Sequence, residues 1–363
     1  MNKSFKELKN FWKNKKVFLT GHTGFKGTWL SIFLNMLGAN VYGYSLKPER
    51  LSLFNQTKCY KLIKKNFILN INNLNQLKKK ISETKPDIIF HLAAQPLVSE
   101  SLKKPIDTFN TNVIGTLNVL EAARIVKSVK SIVIITTDKV YKINSKGKSY
   151  VETDELGGKD PYSASKACAE ILINSYILSF LKNSTTIRVS SARSGNVIGG
   201  GDYSKGRLVP DILKAFNKNK PIIIRNPDHI RPWQHVIEPL YGYLILAEKI
   251  FLNKLSKKDY SWNFGPKKSS FVTVKKVINK FKNHKMVRKI LIKKNKNIET
   301  KILKLNSSKA IKYLNWRQKW NIDQTLDKII EWNIFVNEKK NYINRSRTNR
   351  RNFSSSYSFK RFG

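Results

Sequence analysis

The chain has 363 residues and a mass of 42.0 kDa, 40% hydrophobic and 26% charged, enough apolar material for one large domain or two modest ones, which excludes a miniprotein or a wholly disordered chain. Its 69 Lys and Arg against 24 Asp and Glu leave a net charge of +45, which taken alone points to nucleic acid or an anionic surface. The basic residues are mostly Lys and run the whole length among Asn and Ile without gathering in a patch, so they read as compositional bias; no specific nucleic-acid partner is expected, although the field favours an anionic substrate.

The opening stretch, MNKSFKELKNFWKNKK, is too polar for a signal peptide, and no later run reaches the ~18 apolar residues of a spanning helix, so no membrane insertion and a cytoplasmic setting are expected. Short β-branched runs follow at 16–20, 40–46, 67–71, 87–93, 131–137 and 185–192. Between them, 26–37, 73–83, 105–127 and 161–181 carry helical spacing. This alternation predicts an α/β fold, a doubly wound parallel sheet with helices on both faces. After about residue 195, Gly, Pro and Arg become frequent and the period weakens. That is expected of a smaller, partly interleaved C-terminal substrate domain over the carboxyl ends of the strands. The expected division is 1–194 for dinucleotide binding, 195–340 for substrate, and 341–363 as a basic, Ser-rich disordered tail. Cys59 and Cys168 share no metal or disulfide spacing, so no metal site is expected.

Gly21, Gly24 and Gly27 lie in Thr20-Gly21-His22-Thr23-Gly24-Phe25-Lys26-Gly27, directly after the first strand and opening the first of these helices. In that setting glycines permit a tight turn and close approach of backbone to a pyrophosphate, which the helix N-terminus then attracts; dinucleotide binding is expected. The second strand ends on Ser45 where a ribose-binding carboxylate would stand. No arginine follows it directly, so NAD is favoured over NADP. Tyr162 and Lys166 are four apart on one helical face, so the ammonium is expected to stabilise the phenolate and let Tyr162 accept a hydroxyl proton near neutral pH.

With these motifs, and with His91-Leu92-Ala93-Ala94-Gln95, Thr111-Asn112-Val113-Ile114-Gly115-Thr116 and Arg193-Ser194-Gly195-Asn196-Val197, the chain resembles the extended short-chain dehydrogenase/reductase family over roughly residues 12–335. The resemblance implies a Rossmann-type fold and an NAD site formed by Gly21, Thr23, Gly24, Phe25, Lys26, Gly27, Ser45, Asn70, Ile71, Leu92, Ala93, Ala94, Gln95, Thr111, Tyr162 and Lys166. Thr137-Asp138-Lys139 resembles the nucleotide-sugar 4,6-dehydratases, in which Thr binds the sugar, Asp protonates the leaving 6-hydroxyl and Glu removes the C5 proton. Lys139 replaces that Glu, as it does in the subgroup acting on CDP-glucose. If Lys139 is the base, it must be neutral. For the substrate, Arg231 in RPWQHV matches a phosphate-holding position, Arg207 and Arg225 are candidates to assist, and Asn196 and His235 are further candidates. A homodimer through 105–127 and 161–181 is also implied. The alternatives are dehydration or epimerisation of a UDP- or dTDP-hexose and, on charge alone, nucleic-acid binding by a dehydrogenase fold.

Overall fold

The computed structural model describes residues 3–143, 149–181, 187–224, 226–256, 259–292 and 304–348. Strands β1 (Lys16–Thr20), β2 (Asn40–Ser45), β3 (Lys65–Ile68), β4 (Ile88–His91), β5 (Ser131–Ile135) and β6 (Arg188–Ser194) form a parallel sheet in the order β3-β2-β1-β4-β5-β6. A seventh strand, Ser261–Phe264, pairs in parallel beside β6. Val17 to Leu19, Ile88 to Phe90 and Ile132 to Ile134 are buried, because helices cover both faces of a sheet whose central strands must be apolar throughout. Pairing sets Thr20 level with Tyr44 on one side and with His91 on the other, so three strands end together at one rim.

The expected helices form with local modifications. Helix α2 (Phe25–Met36) follows β1, and Leu74–Thr84 is capped by the Asn73 side chain, which accepts from Gln76 N. The 105–127 stretch is three pieces, Pro105–Phe109, a π-helical turn Asn110–Ile114 and Gly115–Arg124; the next long helix, Pro161–Tyr176, also ends in a π turn, Ile177–Leu181. The strand expected at 67–71 lies at Lys65–Ile68, because Asn70 Oδ1 accepts from Asn72 N and turns the chain early. Helix α1 (Phe5–Trp12), to which no element is assigned from sequence, is held by a Ser4/Glu7 capping box and stacks Trp12 on Phe90.

Beyond β6 a separate apolar cluster joins the helices Leu208–Asn217 and Val274–Asn283 to the start of the last helix through Ile212, Phe281 and Ile329. It carries Arg207, the residue before Leu208–Asn217, and Arg231, in the strand Ile230–Pro232. The last helix, Ile322–Thr348, continues into 341–348, part of the expected disordered tail, since extending a nucleated helix costs little; 349–363 lie outside the described residues. Among the described residues no helix is long and apolar enough to cross a membrane.

Candidate active site

The strand ends open into one cleft of about 1730 Å³, reaching from Gly21 to Val274. At its first end, Gly21 turns with φ +74°, and a Cβ there would stand 2.6 Å from Ala93 N; at Gly27 a Cβ would stand 2.1 Å from Gly21 O. Both positions therefore exclude any side chain. Gly24 starts α2 without a side-chain cap, which leaves the helix's first N–H groups for a ligand. A pyrophosphate fits this cradle; Thr23, Phe25, Asn70, Ile71, Leu92, Ala93, Ala94 and Thr111 line the cleft with the glycines, as does Lys26, whose Nζ is directed away from the cradle to Ser194 Oγ. Ser45 lies at the rim beside Thr23, their hydroxyls 2.8 Å apart.

One residue expected here has other work, and the histidines of these loops are structural. Gln95 does not line the cleft: its Nε2 donates to Leu97 O and Thr108 Oγ1, bracing the loop on the following helix. His91 lies within 2.7 Å of Thr20 Oγ1 and 3.1 Å of Thr116 Oγ1; burial, with Lys166 nearby, pushes it down to about 3, so it is a neutral tie. His22 is likewise buried, its Nε2 2.6 Å from Asn66 Oδ1.

In the middle of the cleft stand Thr137, Asp138, Lys139, Tyr162 and Lys166. Thr137 begins the turn Asp138–Val140 after β5 and donates from Oγ1 to Asp138 Oδ1 at 3.1 Å. Asp138 is 2% exposed, and its Oδ2 has no hydrogen-bond partner among the described residues. Burial raises its carboxyl to about 6 against the pull of Lys139, Thr137, Lys26 and Arg231. The site thus holds a carboxylic acid able to give up a proton near neutral pH.

Tyr162 follows the helix-starting Pro161, with Asp160 capping the helix by accepting from Ser163 N at 3.0 Å. Lys166 shares the cleft but donates to the Ile135 carbonyl at 3.0 Å. Burial pushes Tyr162 up, and the groups opposing it are the Thr137 hydroxyl and Arg207. Lys166 is itself lowered to about 8 by burial.

At the far end, Asn196, Arg207 and Arg231 line the wall. Arg207 Nη1 donates to Asp202 at 3.3 Å, and Arg231 donates to Ile230 O. Lys205, Lys214, Lys218 and Lys220 add cations there, a feature hidden in sequence by the general abundance of Lys. Arg225 lies outside the described residues. His235 does not face the cleft. It is buried edge-on between Trp29 and Trp320, ring centroids 6.2 and 4.9 Å away, because its short strand leads straight into the buried helix Ile237–Phe251.

A buried network missed in the sequence supports the centre. Glu170, one turn after Lys166, accepts from Thr136 and Ser191 hydroxyls and pairs with Arg193 at 2.8 Å. Burial alone would raise the Glu170 carboxyl, but Arg193 and these donors hold it below the usual range. Arg193 also donates to Tyr141 Oη at 2.8 Å, and Tyr141 donates to Asn263 Oδ1 at 2.7 Å. The turn after β5, the Tyr162 helix, β6 and the seventh strand are thereby tied together. The spacing from Lys166 to Glu170 is the signal that could have found it.

Residues 18–329 match the family model described as GDP-mannose 4,6 dehydratase. The chain is 43% identical over 331 residues to the CDP-glucose 4,6-dehydratase of Salmonella typhimurium, covering 89% of this chain and 92% of that one. It is 29% identical over 239 residues to the dTDP-D-glucose 4,6-dehydratase of Dictyostelium discoideum, covering 58% and 50%. Among solved structures, the UDP-glucose 4-epimerase of Thermotoga maritima with UDP-glucose superposes with a TM-score of 0.76 at 20% identity, over 87% of this chain and 98% of that one. The dTDP-glucose 4,6-dehydratase of Bacillus anthracis in complex with NAD gives 0.74 at 21% identity, over 88% and 96%. These two share the fold.

Proposed function

The chain belongs to the GDP-mannose 4,6 dehydratase family, and on that premise we infer that it is an NAD-dependent hydro-lyase converting CDP-glucose to CDP-4-dehydro-6-deoxyglucose and water. The observation that carries this reading is Asp138, a buried carboxyl raised by burial to about 6, beside Thr137, Lys139 and Tyr162 in one cleft. An epimerase needs no such acid, because it expels no hydroxyl.

The cradle formed by Gly21, Gly24 and Gly27, with Thr23, Ser45 and Thr111 around it, fits NAD, whose pyrophosphate would be attracted by the uncapped α2 N-terminus. NAD held there would supply the hydride acceptor for sugar C4 and the hydride donor for C6. Tyr162 receives the proton of the 4-hydroxyl, while Thr137 holds the sugar hydroxyl against it and Lys166, one helical turn on, offers its ammonium to the phenolate. The 4-ketone makes C5–H acidic. Lys139 then removes the C5 proton as Asp138 protonates the departing 6-hydroxyl. The cations of the far end, Arg207 and Arg231 with Asn196, hold the substrate diphosphate.

This assigns 1–194 to the cofactor and 195–340 to the sugar nucleotide. Ile106, Phe109 and Ile114 with Ile171, Leu178 and Phe180 stand exposed on the helices of one side, which supports a homodimer through that face. The free thiols of Cys59 and Cys168 suit a reducing cytoplasm.

A panel of CDP-, UDP-, dTDP- and GDP-glucose with NAD tests the reading. CDP-glucose should give the highest kcat/KM for a 4-keto-6-deoxy product. A higher value with UDP- or dTDP-glucose, or a C4 epimer formed without loss of water, would overturn it.

A further inference from the structure

By sequence Lys26 belongs to the cofactor loop, but its side chain runs elsewhere. From the first turn of α2 it crosses to the end of β6, where Nζ donates to Ser194 Oγ at 2.8 Å; Tyr243 Oη donates to the same oxygen at 2.8 Å. The Ser194 hydroxyl therefore holds the ammonium from a fixed position. The next residue, Gly195, lies so close to Asp138 that a Cβ on it would stand 2.7 Å from Oδ2, the oxygen with no hydrogen-bond partner among the described residues. The step from Ser194 to Gly195 thus holds Lys26 on one residue and meets Asp138 on the next, and Lys26 and Asp138 both line the cleft.

The charges around the two groups come from several elements. Asp138 faces Lys139, Lys26 and Arg231, and Lys26 faces Arg207, Asp138, Lys166 and Asp202. Burial and Arg207 bring Lys26 down to about 7, against the pull of Asp138. Each group is therefore among the charges that set the state of the other.

We propose that Lys26 is a positioning residue for the elimination, its ammonium being the counter-charge that lets Asp138 give its proton to the departing 6-hydroxyl and remain a carboxylate. The Asp138 O–H bond breaks and its proton goes to O6; the C6–O6 bond breaks and its electron pair leaves with water. The electrons of the C5–H bond form the C5–C6 double bond, and the C5 proton goes to the base. One negative charge appears on Asp138 and one positive charge on the base, while Lys26 keeps its protons and is favoured as an ammonium by the new carboxylate.

This inference rests on the dehydratase reading for the step it serves, but its main test needs no turnover. The Asp138 carboxyl is titrated by infrared difference spectroscopy of the NAD-loaded enzyme against Asp138→Asn, in wild type, Lys26→Met and Lys26→Arg. Lys26→Met should raise the Asp138 midpoint by about one pH unit or more, and Lys26→Arg should restore it. With CDP-glucose, Lys26→Met should lower kcat at least about tenfold, leave the affinity for NAD unchanged, and let enzyme-bound reduced cofactor accumulate. An unmoved Asp138 midpoint overturns the proposal, and weaker NAD binding with that midpoint unmoved marks Lys26 as a cofactor ligand only. If Lys26→Met does not fold, Ser194→Ala is read in the same titration; it releases Nζ and should raise the midpoint, and no rise there overturns the proposal. Absence of wild-type turnover on CDP-glucose would count against the dehydratase reading alone, because the titration still decides Lys26.

Discussion

Replacing Asp138 with Asn should separate what the acid costs the fold from what it does in the cleft. Asp138 is 2% exposed, and its carboxyl is raised from 3.8 to about 6, chiefly by burial. A raised folded pKa means that the folded chain binds this proton more tightly than the unfolded chain does. The ionised group therefore destabilises the fold above about pH 6, and that cost fades as pH falls towards 3.8. About two pKa units at about 1.4 kcal/mol each give about 3 kcal/mol at pH 7. Asn has the same outline and no charge, so it removes this cost. With an unfolding entropy of about 2 cal/mol/K per residue, a chain of this size gains about 1.4 °C per kcal/mol, and Tm should rise by about 4 °C at pH 7. Calorimetry from about pH 4 to 8 should show that advantage vanishing at the acid end, while the variant loses dehydration. Equal Tm values at pH 7, or an advantage that grows on acidification, would refute the assignment of Asp138 as a strained buried acid.

Tyr162→Phe removes the proton acceptor for the first oxidation, so bound NAD should stay oxidised on adding CDP-glucose and kcat should fall by about 10²–10⁴; reduced-cofactor absorbance in single turnover reads this. Lys139→Met should instead allow oxidation at C4 but suppress solvent deuterium exchange at C5, followed by NMR, and exchange at the wild-type rate would assign that proton to another base. Gly21→Ala places a Cβ 2.6 Å from Ala93 N at φ +74°, and should weaken NAD binding at least about tenfold in a fluorescence titration. Glu170→Gln leaves Arg193 without its buried partner and should cost about 3–5 kcal/mol in urea unfolding; a loss under about 1 kcal/mol would show that the network does not hold the centre together.

What sequence makes legible here is local. The glycine loop is readable because a turn, a close approach and a helix start each demand a residue type within a few positions, and Gly21 and Gly27 meet those demands. Tyr162 and Lys166 are readable from helical spacing, and the central strands from unbroken apolar runs such as Ile132 to Ile135. Long-range partners leave no such trace: Tyr243 reaches Ser194 across 49 positions and Tyr141 reaches Asn263 across 122. His235 shows the opposite error, since a polar residue in an Arg- and Pro-rich segment reads as a ligand until Trp29 and Trp320 are seen to enclose it. Lys26 is legible only in part. Its backbone belongs to the cofactor cradle by spacing, but only the fold brings its side chain to Ser194.

The most direct test of the account follows the hydrogen itself. CDP-glucose deuterated at C4 is turned over with unlabelled NAD, and the product is analysed by NMR and mass spectrometry. The product should be a 4-keto-6-deoxy sugar nucleotide carrying the deuterium on C6, with no net accumulation of reduced cofactor. Stoichiometric formation of deuterated reduced NAD, or recovery of the deuterium at C4 of an epimer, would contradict it.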